Sequence, residues 1–307
     1  KSREGEVYKI IERSKNIITG IYQQNDNFGF VLPRENMGRD IYVSRKKTKG
    51  AKNGDLVAVR IYFWGDEERK PEGEIISILG DPQNTEALIN GILINNGISE
   101  TFSDEIENEL YKIEKPSAEE INSRRDLRDL KIITIDGSDA KDLDDAVYVE
   151  KTNKGYKLIV SIADVSYYVR ENTKLDEEAL KRGNSIYLVD RVIPMLPRKL
   201  SNDLCSLNPN EDKLTFTAEI DFDEQGKVIK NDFYRSVINS KYRMTYQKVN
   251  EIIAGDEESV KEYEEINNMI THMLHLSNLL RDVKKRRGSI DFELPEIKVV
   301  LNDDKSV

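Results

Sequence analysis

The chain has 307 residues, 38% hydrophobic and 34% charged, with a formal net charge of −10. That length suffices for two or three domains with cores of their own, while no apolar run approaches the ~20 residues of a membrane-spanning helix and the first residues hold no signal-peptide core. The single cysteine, Cys205, excludes an internal disulfide framework and suits a reducing, cytoplasmic setting.

The charge is unevenly spread. Residues 1–60 carry 13 Lys/Arg against 7 Asp/Glu, so the acidic excess lies entirely in the rest of the chain. A basic front is suited to phosphates. The acidic rear reads either as an ordinary solvated surface or as a source of metal-binding carboxylates.

Five short strands are expected over residues 17–22, 28–32, 40–43, 56–62 and 74–79, rich in Ile, Val, Phe and Tyr and separated by Gly, Asn, Asp and Pro. This pattern predicts a small antiparallel barrel over residues 16–80. Residues 6–11 read as one more strand, the remnant of a preceding domain. Residues 81–117 read as an acidic connector with a helix at 104–111.

A second domain is expected over residues 118–307. Strands are predicted at 131–135, 146–150, 157–162 and 215–221, with helical segments at 175–182 and 200–207. Residues 246–287 read as a helical hairpin broken at Gly255-Asp256. In its second arm Ile266, Met269, Met273, Leu276, Leu280 and Val283 form an amphipathic stripe. Lys284 to Arg287 followed by Gly288 is a helix ending, with cations at the negative end of the dipole.

The most concentrated chemistry is at residues 136–145, Asp-Gly-Ser-Asp-Ala-Lys-Asp-Leu-Asp-Asp. Asp136 follows a buried-strand pattern, and Asp139, Asp142, Asp144 and Asp145 follow within ten residues. Crowded carboxylates repel unless a cation neutralises them, and hard divalent cations take oxygen ligands. Such ions can activate water and stabilise a leaving oxygen in phosphodiester cleavage. On spacing alone the run is either a divalent-cation site or a solvated acidic loop. It is no EF-hand, because counting from Asp142 the fifth and sixth positions are Ala146 and Val147.

Thr134-Ile-Asp-Gly-Ser-Asp-Ala-Lys-Asp-Leu-Asp-Asp-Ala146 resembles the signature of the RNase II/RNase R exoribonucleases, the RNB family. Ile162-Ala-Asp-Val-Ser166, Ile193-Pro-Met-Leu-Pro197 and Leu200-Ser-Asn-Asp-Leu-Cys-Ser-Leu207 agree with that family in order and distance, and the RNase R branch is the more similar. The resemblance implies an α+β chain: an OB-fold, cold-shock-like β-barrel followed by the first part of a mixed α/β RNB catalytic domain. It implies Mg²⁺-dependent, processive 3′-to-5′ hydrolysis of single-stranded RNA to 5′-nucleoside monophosphates. It assigns catalysis and metal binding to Asp136, Asp142, Asp144 and Asp145, and gives Asp139 no role. By the same resemblance Tyr187 packs on the terminal nucleotide and Phe292 stacks on the incoming bases. No membrane and no small-molecule cofactor are implied.

At the front, Asn27-Phe-Gly-Phe-Val31 and Asp40-Ile-Tyr-Val43 resemble the RNA-binding strands of cold-shock domains. Phe28 and Phe30 are two apart and share a sheet face. With Tyr42 they form either a stacking platform for bases, with Arg39, Arg45, Lys46 and Lys47 nearby, or part of the barrel interior.

The family's catalytic domain extends well beyond 190 residues, its later part contributing a phosphate-holding arginine. The 307 residues are therefore expected to be an internal piece of a larger enzyme with little activity alone. A non-catalytic RNA-binding protein on the same scaffold is the alternative. His272 and His275 lack a third zinc ligand, and Cys205 is expected in the core.

Overall fold

The computed structural model describes residues 5, 8–13, 15–35, 37–290, 292 and 299. Two compact units divide the chain, one spanning Lys1–Thr101 and the other Phe102–Val307.

The first unit is a closed five-stranded barrel in the order β1-β2-β3-β5-β4, with β1 Ile17–Gln24, β2 Phe28–Pro33, β3 Ile41–Ser44, β4 Leu56–Phe63 and β5 Glu72–Gly80. Alternation drives it: Ile18, Tyr22, Val31, Ile41, Val43, Val57, Val59, Ile61 and Ile75 fill the interior. Gly29 is required where β2 crosses Tyr22, because a Cβ there would sit 2.3 Å from the Tyr22 ring. Helix α1, Thr85–Asn95, belongs to this unit. Asn84 caps it by accepting from the Ala87 N–H, and Asn95 at its far end accepts from the Thr19 N–H of β1 at 2.8 Å. The stretch read as a connector thus begins with a helix tied to the barrel. Residues 8–13 are in no strand, and Glu6 and Val7 lie outside the described residues.

The second unit opens with two short helices, α2 Asp104–Tyr111 and α3 Ala118–Asn122. Its seven-stranded sheet comprises β6 Arg125–Asp126, β7 Ile133–Asp136, β8 Asp145–Thr152, β9 Gly155–Ala163, β12 Asp212–Asp223, β13 Val228–Asn239 and β14 Tyr242–Thr245. Between β9 and β12 come α4 Val165–Tyr168, α5 Lys174–Arg182, the small ribbon β10 Ile186–Tyr187 and β11 Val192–Ile193, and a π-helical turn, Lys199–Leu204. The sheet order is β14-β7-β8-β9-β12-β13-β6, with both outer pairs parallel and the rest antiparallel.

Both sheet faces are covered. On one, Ala146, Ile159, Ala163 and Ile238 pack with Ile106 and Leu110 of α2, Leu175 of α5 and the apolar residues of the π turn. On the other, Ile133 and Met244 pack under the helices α6 Tyr246–Ala254, α7 Glu257–Glu262 and α8 Glu264–Arg286. Gly255 ends α6 in the left-handed conformation at φ 81°, the break expected in the helical hairpin. Ile266, Met269, Ile270 and Leu276 are the buried residues of α8.

Beneath the first of these faces runs a polar seam. Arg124 Nη2 lies 2.7 Å from both Asp164 Oδ2 and Glu120 Oε1, with the Arg124 and Asp164 side chains buried. Burial pushes the Asp164 carboxyl up. The Ser166 and Arg124 hydrogen bonds and the guanidinium charge outweigh that and hold it below the usual carboxylate range.

Candidate active site

Strand β7 delivers Asp136 at its C-terminal end, and β8 begins at Asp145, so the acidic run is the connection between two neighbouring strands. The connection has no regular structure between these strands. It is held by contacts outside itself. Leu143 is buried to 1% exposure; its N–H donates to Ser206 Oγ at 3.1 Å, and its carbonyl accepts from the Leu207 N–H at 2.8 Å. Ser206 Oγ also donates to the Lys141 carbonyl at 3.2 Å. The Asp144 carbonyl accepts from the Ala163 N–H at 2.9 Å. At the upstream half, Arg243 of β14 uses one nitrogen, Nη2, to donate to the carbonyls of Ser138 and Ala140 at 3.1 and 2.5 Å.

These anchors tie two of the other stretches singled out in the sequence to the acidic run. Ala163 and Asp164 belong to the stretch at 162–166, and Ser206 and Leu207 to the stretch at 200–207. Each holds part of the run's backbone or the sheet beneath it. Sequence reasoning found the motifs but missed the specific anchors. It also missed Arg243, which sits in a four-residue strand with nothing in its spacing to mark it.

Asp136, Asp142, Asp144 and Asp145 are electrostatic neighbours. The Asp136 carboxyl is raised above the ordinary range by partial burial, then by the charges of Asp145 and Asp142, against the opposing pull of Arg243. Asp144 is raised by desolvation and by Asp142, Asp145 and Asp136. Carboxylates that hold protons too tightly for this reason also favour another cation in their midst. Among the described residues, no three Asp, Glu, His or Cys side chains are arranged as a finished metal cage. The all-oxygen donor set and the mutual repulsion fit a hard divalent cation.

The β10–β11 ribbon brings Tyr187 to this cluster. The pairs are Ile186 with Ile193 and Tyr187 with Val192, closed by the Leu188 N–H donating to the Arg191 carbonyl at 2.8 Å. The Tyr187 hydroxyl donates to Asp142 Oδ2 at 3.5 Å, while 69% of the residue stays open to solvent. Partial burial and the charges of Asp142 and Asp144 raise its phenol. Phe292 lies beyond α8 and is 79% exposed; both its sequence neighbours fall outside the described residues. Cys205 is buried, and burial, then the charge of Asp144, pushes its thiol up to about 12, as a core cysteine rather than a nucleophile requires. His272 packs edge-on against Tyr156, ring centroids 6.3 Å apart.

In the barrel unit, Phe28, Phe30 and Tyr42 form a cluster of their own. Centroids lie 5.5 Å apart for Phe28–Phe30, 5.8 Å for Phe28–Tyr42 and 6.1 Å for Phe30–Tyr42. Phe30 and Tyr42 are cross-strand partners. Their strand neighbours Gly29, Val31, Ile41 and Val43 are buried, so the three rings stand on the outer face. Phe28 is 37% exposed. Lys70 Nζ stands 4.6 Å from the centre of the Phe30 ring. Of the cations expected nearby, Arg45, Lys46 and Lys47 form a 3₁₀ turn directly after β3, and Arg39 donates to the Asp66 carbonyl at 2.6 Å.

Residues 124–307 match the RNB domain, and residues 30–103 match a cold shock domain. Ribonuclease R of Thermotoga maritima is 40% identical over 99% of this chain and 43% of its own length. The chain thus spans less than half of that curated relative. Mycoplasma genitalium RNase R in complex with double-stranded RNA superposes with a TM-score of 0.88 at 29% identity, over 98% of this chain and 53% of that one. Yeast Ssd1, a pseudonuclease, shares the fold at 17% identity and a TM-score of 0.70, over 90% of this chain and 35% of that one.

Proposed function

The chain belongs to the RNB domain family, and on that footing we propose that the protein is a 3′-to-5′ hydrolytic exoribonuclease that shortens single-stranded RNA to 5′-nucleoside monophosphates. The observation that carries this reading is the gathering of four repelling carboxylates between β7 and β8, with the Tyr187 phenol beside Asp142.

Asp136, Asp142, Asp144 and Asp145 are the residues that would hold Mg²⁺. A bound divalent ion supplies a more acidic water and a counter-charge for the departing oxygen. The chain's own groups do the rest. The buried Leu143 and its bonds to Ser206 and Leu207 keep the carboxylates from relaxing apart. Tyr187 offers a ring face to the terminal nucleotide while its hydroxyl reaches Asp142, and Phe292 offers a second ring to the bases behind it. Processivity belongs to the same reading, since stacking on ring faces holds a strand without reading its sequence.

The barrel's outer rings, Phe28, Phe30 and Tyr42, with Lys70 above Phe30, form a surface suited to single-stranded bases and their phosphates. A cytoplasmic setting goes with this reading, supported by the one free, buried cysteine. No helix of the described residues is long and apolar enough to cross a membrane.

A second reading, a non-catalytic RNA-binding protein, draws on the fold shared with a pseudonuclease. One experiment separates the two. Labelled poly(A) is incubated with the full-length protein in Mg²⁺, in chelator, and with Asp144→Asn. The exonuclease reading expects mononucleotides only in the first; no release in any of the three leaves the binding protein.

A further inference from the structure

The acidic connection between β7 and β8 is tied at two ends by different parts of the fold. Its downstream half, residues 141–144, is held by Ser206, Leu207 and Ala163. Its upstream half, residues 137–140, has one local hydrogen bond, from the Ala140 N–H to the Gly137 carbonyl at 3.2 Å. Arg243 holds the same backbone from a different strand, its Nη2 spanning the Ser138 and Ala140 carbonyls.

The placement of Arg243 is fixed by strand pairing. It stands in register with Thr134 in the parallel pair β14–β7, and Thr245 stands in register with Asp136. The strand that carries the first aspartate therefore also fixes the base from which Arg243 reaches over the turn behind it. A guanidinium stays charged at every accessible pH, and hydrogen bonds from a charged donor are stronger than neutral ones. Both acceptors are main-chain carbonyls, so this contact sets the path of the backbone between Asp136 and Asp142.

We propose that Arg243 is a positioning residue that fixes the 138–140 turn so that Asp136 and Asp142 face one divalent-cation site. The inference rests on the reading of the aspartates as cation ligands given above. Groups that orient metal ligands from behind typically contribute roughly 10–100-fold to metal affinity. Arg243 donates to backbone carbonyls, while its charge also acts on Asp136. That charge by itself opposes a cation, so a loss of affinity on Arg243→Met reads loop geometry rather than charge.

The test uses the full-length protein without RNA. Mn²⁺ binding is followed by calorimetry and by the metal's electron paramagnetic resonance spectrum, for wild type, Arg243→Met and Arg243→Lys. Thermal unfolding and RNA affinity are measured in chelator alongside. Arg243→Met is expected to weaken Mn²⁺ binding roughly 10–100-fold. Arg243→Lys, with a single ammonium able to reach one carbonyl at a time, recovers part of it. RNA affinity in chelator stays at the wild-type value. Wild-type Mn²⁺ affinity in folded Arg243→Met overturns the inference. So does a drop in RNA affinity in chelator larger than the drop in Mn²⁺ affinity, which makes Arg243 a phosphate contact. Should Arg243→Met fail to fold, wild-type Mn²⁺ affinity in Arg243→Lys overturns it equally. A wild type that binds no Mn²⁺ overturns the underlying reading of the aspartates and the inference with it.

Discussion

The Tyr187 hydroxyl donates to Asp142 Oδ2 at 3.5 Å, although 45 residues separate the two in sequence. The bond crosses from a two-residue ribbon to an irregular acidic connection, and 69% of Tyr187 remains exposed above it. The ring and the hydroxyl therefore have separable duties. Tyr187→Ala, which removes both, is expected to weaken retention of the terminal nucleotide by about 1–3 kcal/mol. Tyr187→Phe keeps the ring and should cost far less. Single-turnover rates against RNA concentration check the split: equal effects of the two substitutions would contradict stacking.

Loss of one carboxylate should separate chemistry from binding. Asp144→Asn is expected to lower mononucleotide release by roughly 10²-fold or more, beyond what loss of a group behind the ligands costs. RNA affinity should stay within a few-fold, since it draws mainly on phosphate and stacking contacts elsewhere. Filter binding in chelator and product release in Mg²⁺, on the same preparations, give both numbers.

The raised Asp136 and Asp144 carboxyls set the acid side of the pH profile. Protons and a divalent cation compete for the same oxygens. Activity at fixed low Mg²⁺ should therefore fall, as pH drops, at a value above the ordinary carboxylate 3.8, and raising Mg²⁺ should move that midpoint down. The sign for stability is the reverse of the usual carboxylate. In the metal-free protein these two groups favour folding below 3.8, and that contribution is lost as pH rises through their folded values. A midpoint that ignores Mg²⁺ would count against cation binding here.

The Arg124–Asp164 pair makes a stability prediction independent of the site. Arg124→Met leaves Asp164 buried without its partner and is expected to cost about 3–5 kcal/mol by urea unfolding. The Asp164 carboxyl is held below 3.8. Its stabilisation is present above 3.8 and lost as pH falls through the lower folded value. The gap between wild type and Asp164→Asn should thus be constant from neutral pH down to that range and close beneath it.

On the barrel, Phe28→Ala, Phe30→Ala and Tyr42→Ala are each expected to weaken single-stranded RNA binding by about 1–3 kcal/mol. Phe28→Ala should leave the melting temperature close to wild type, because the ring lies outside the barrel core. Fluorescence anisotropy with a short labelled oligonucleotide reads the first effect and calorimetry the second.

Elements with a buried stripe were legible from sequence. The five barrel strands, the helix at 104–111, and the break and stripe of α6 and α8 all carry their apolar pattern in a few residues. Strand β13 was not legible, because Val228 to Phe233 are all exposed and polar residues interrupt the alternation. Strand β14 has one buried residue, Met244, too little for a pattern. Helix α1 was hidden by its polar flanks, although Asn84 is an ordinary cap signal. At the site, the four aspartates could be read directly, whereas their supports could not. Ser206 acts through a single hydroxyl, and Arg243 through a pairing that only the sheet order creates.

Leu143 sits between Asp142 and Asp144 at 1% exposure, pinned through its backbone on both sides. What the fold recognises in this stretch is therefore one leucine, while the acids beside it are electrostatically reluctant neighbours. Exchanging an acid for its amide relieves repulsion and leaves the leucine anchored. Folding and turnover are thus inherited on separate letters of the same short word: a lineage could shed the reaction in a single codon and keep the architecture. Loss of catalysis in such a descendant would cost it no stability, and only the missing carboxylate would betray it.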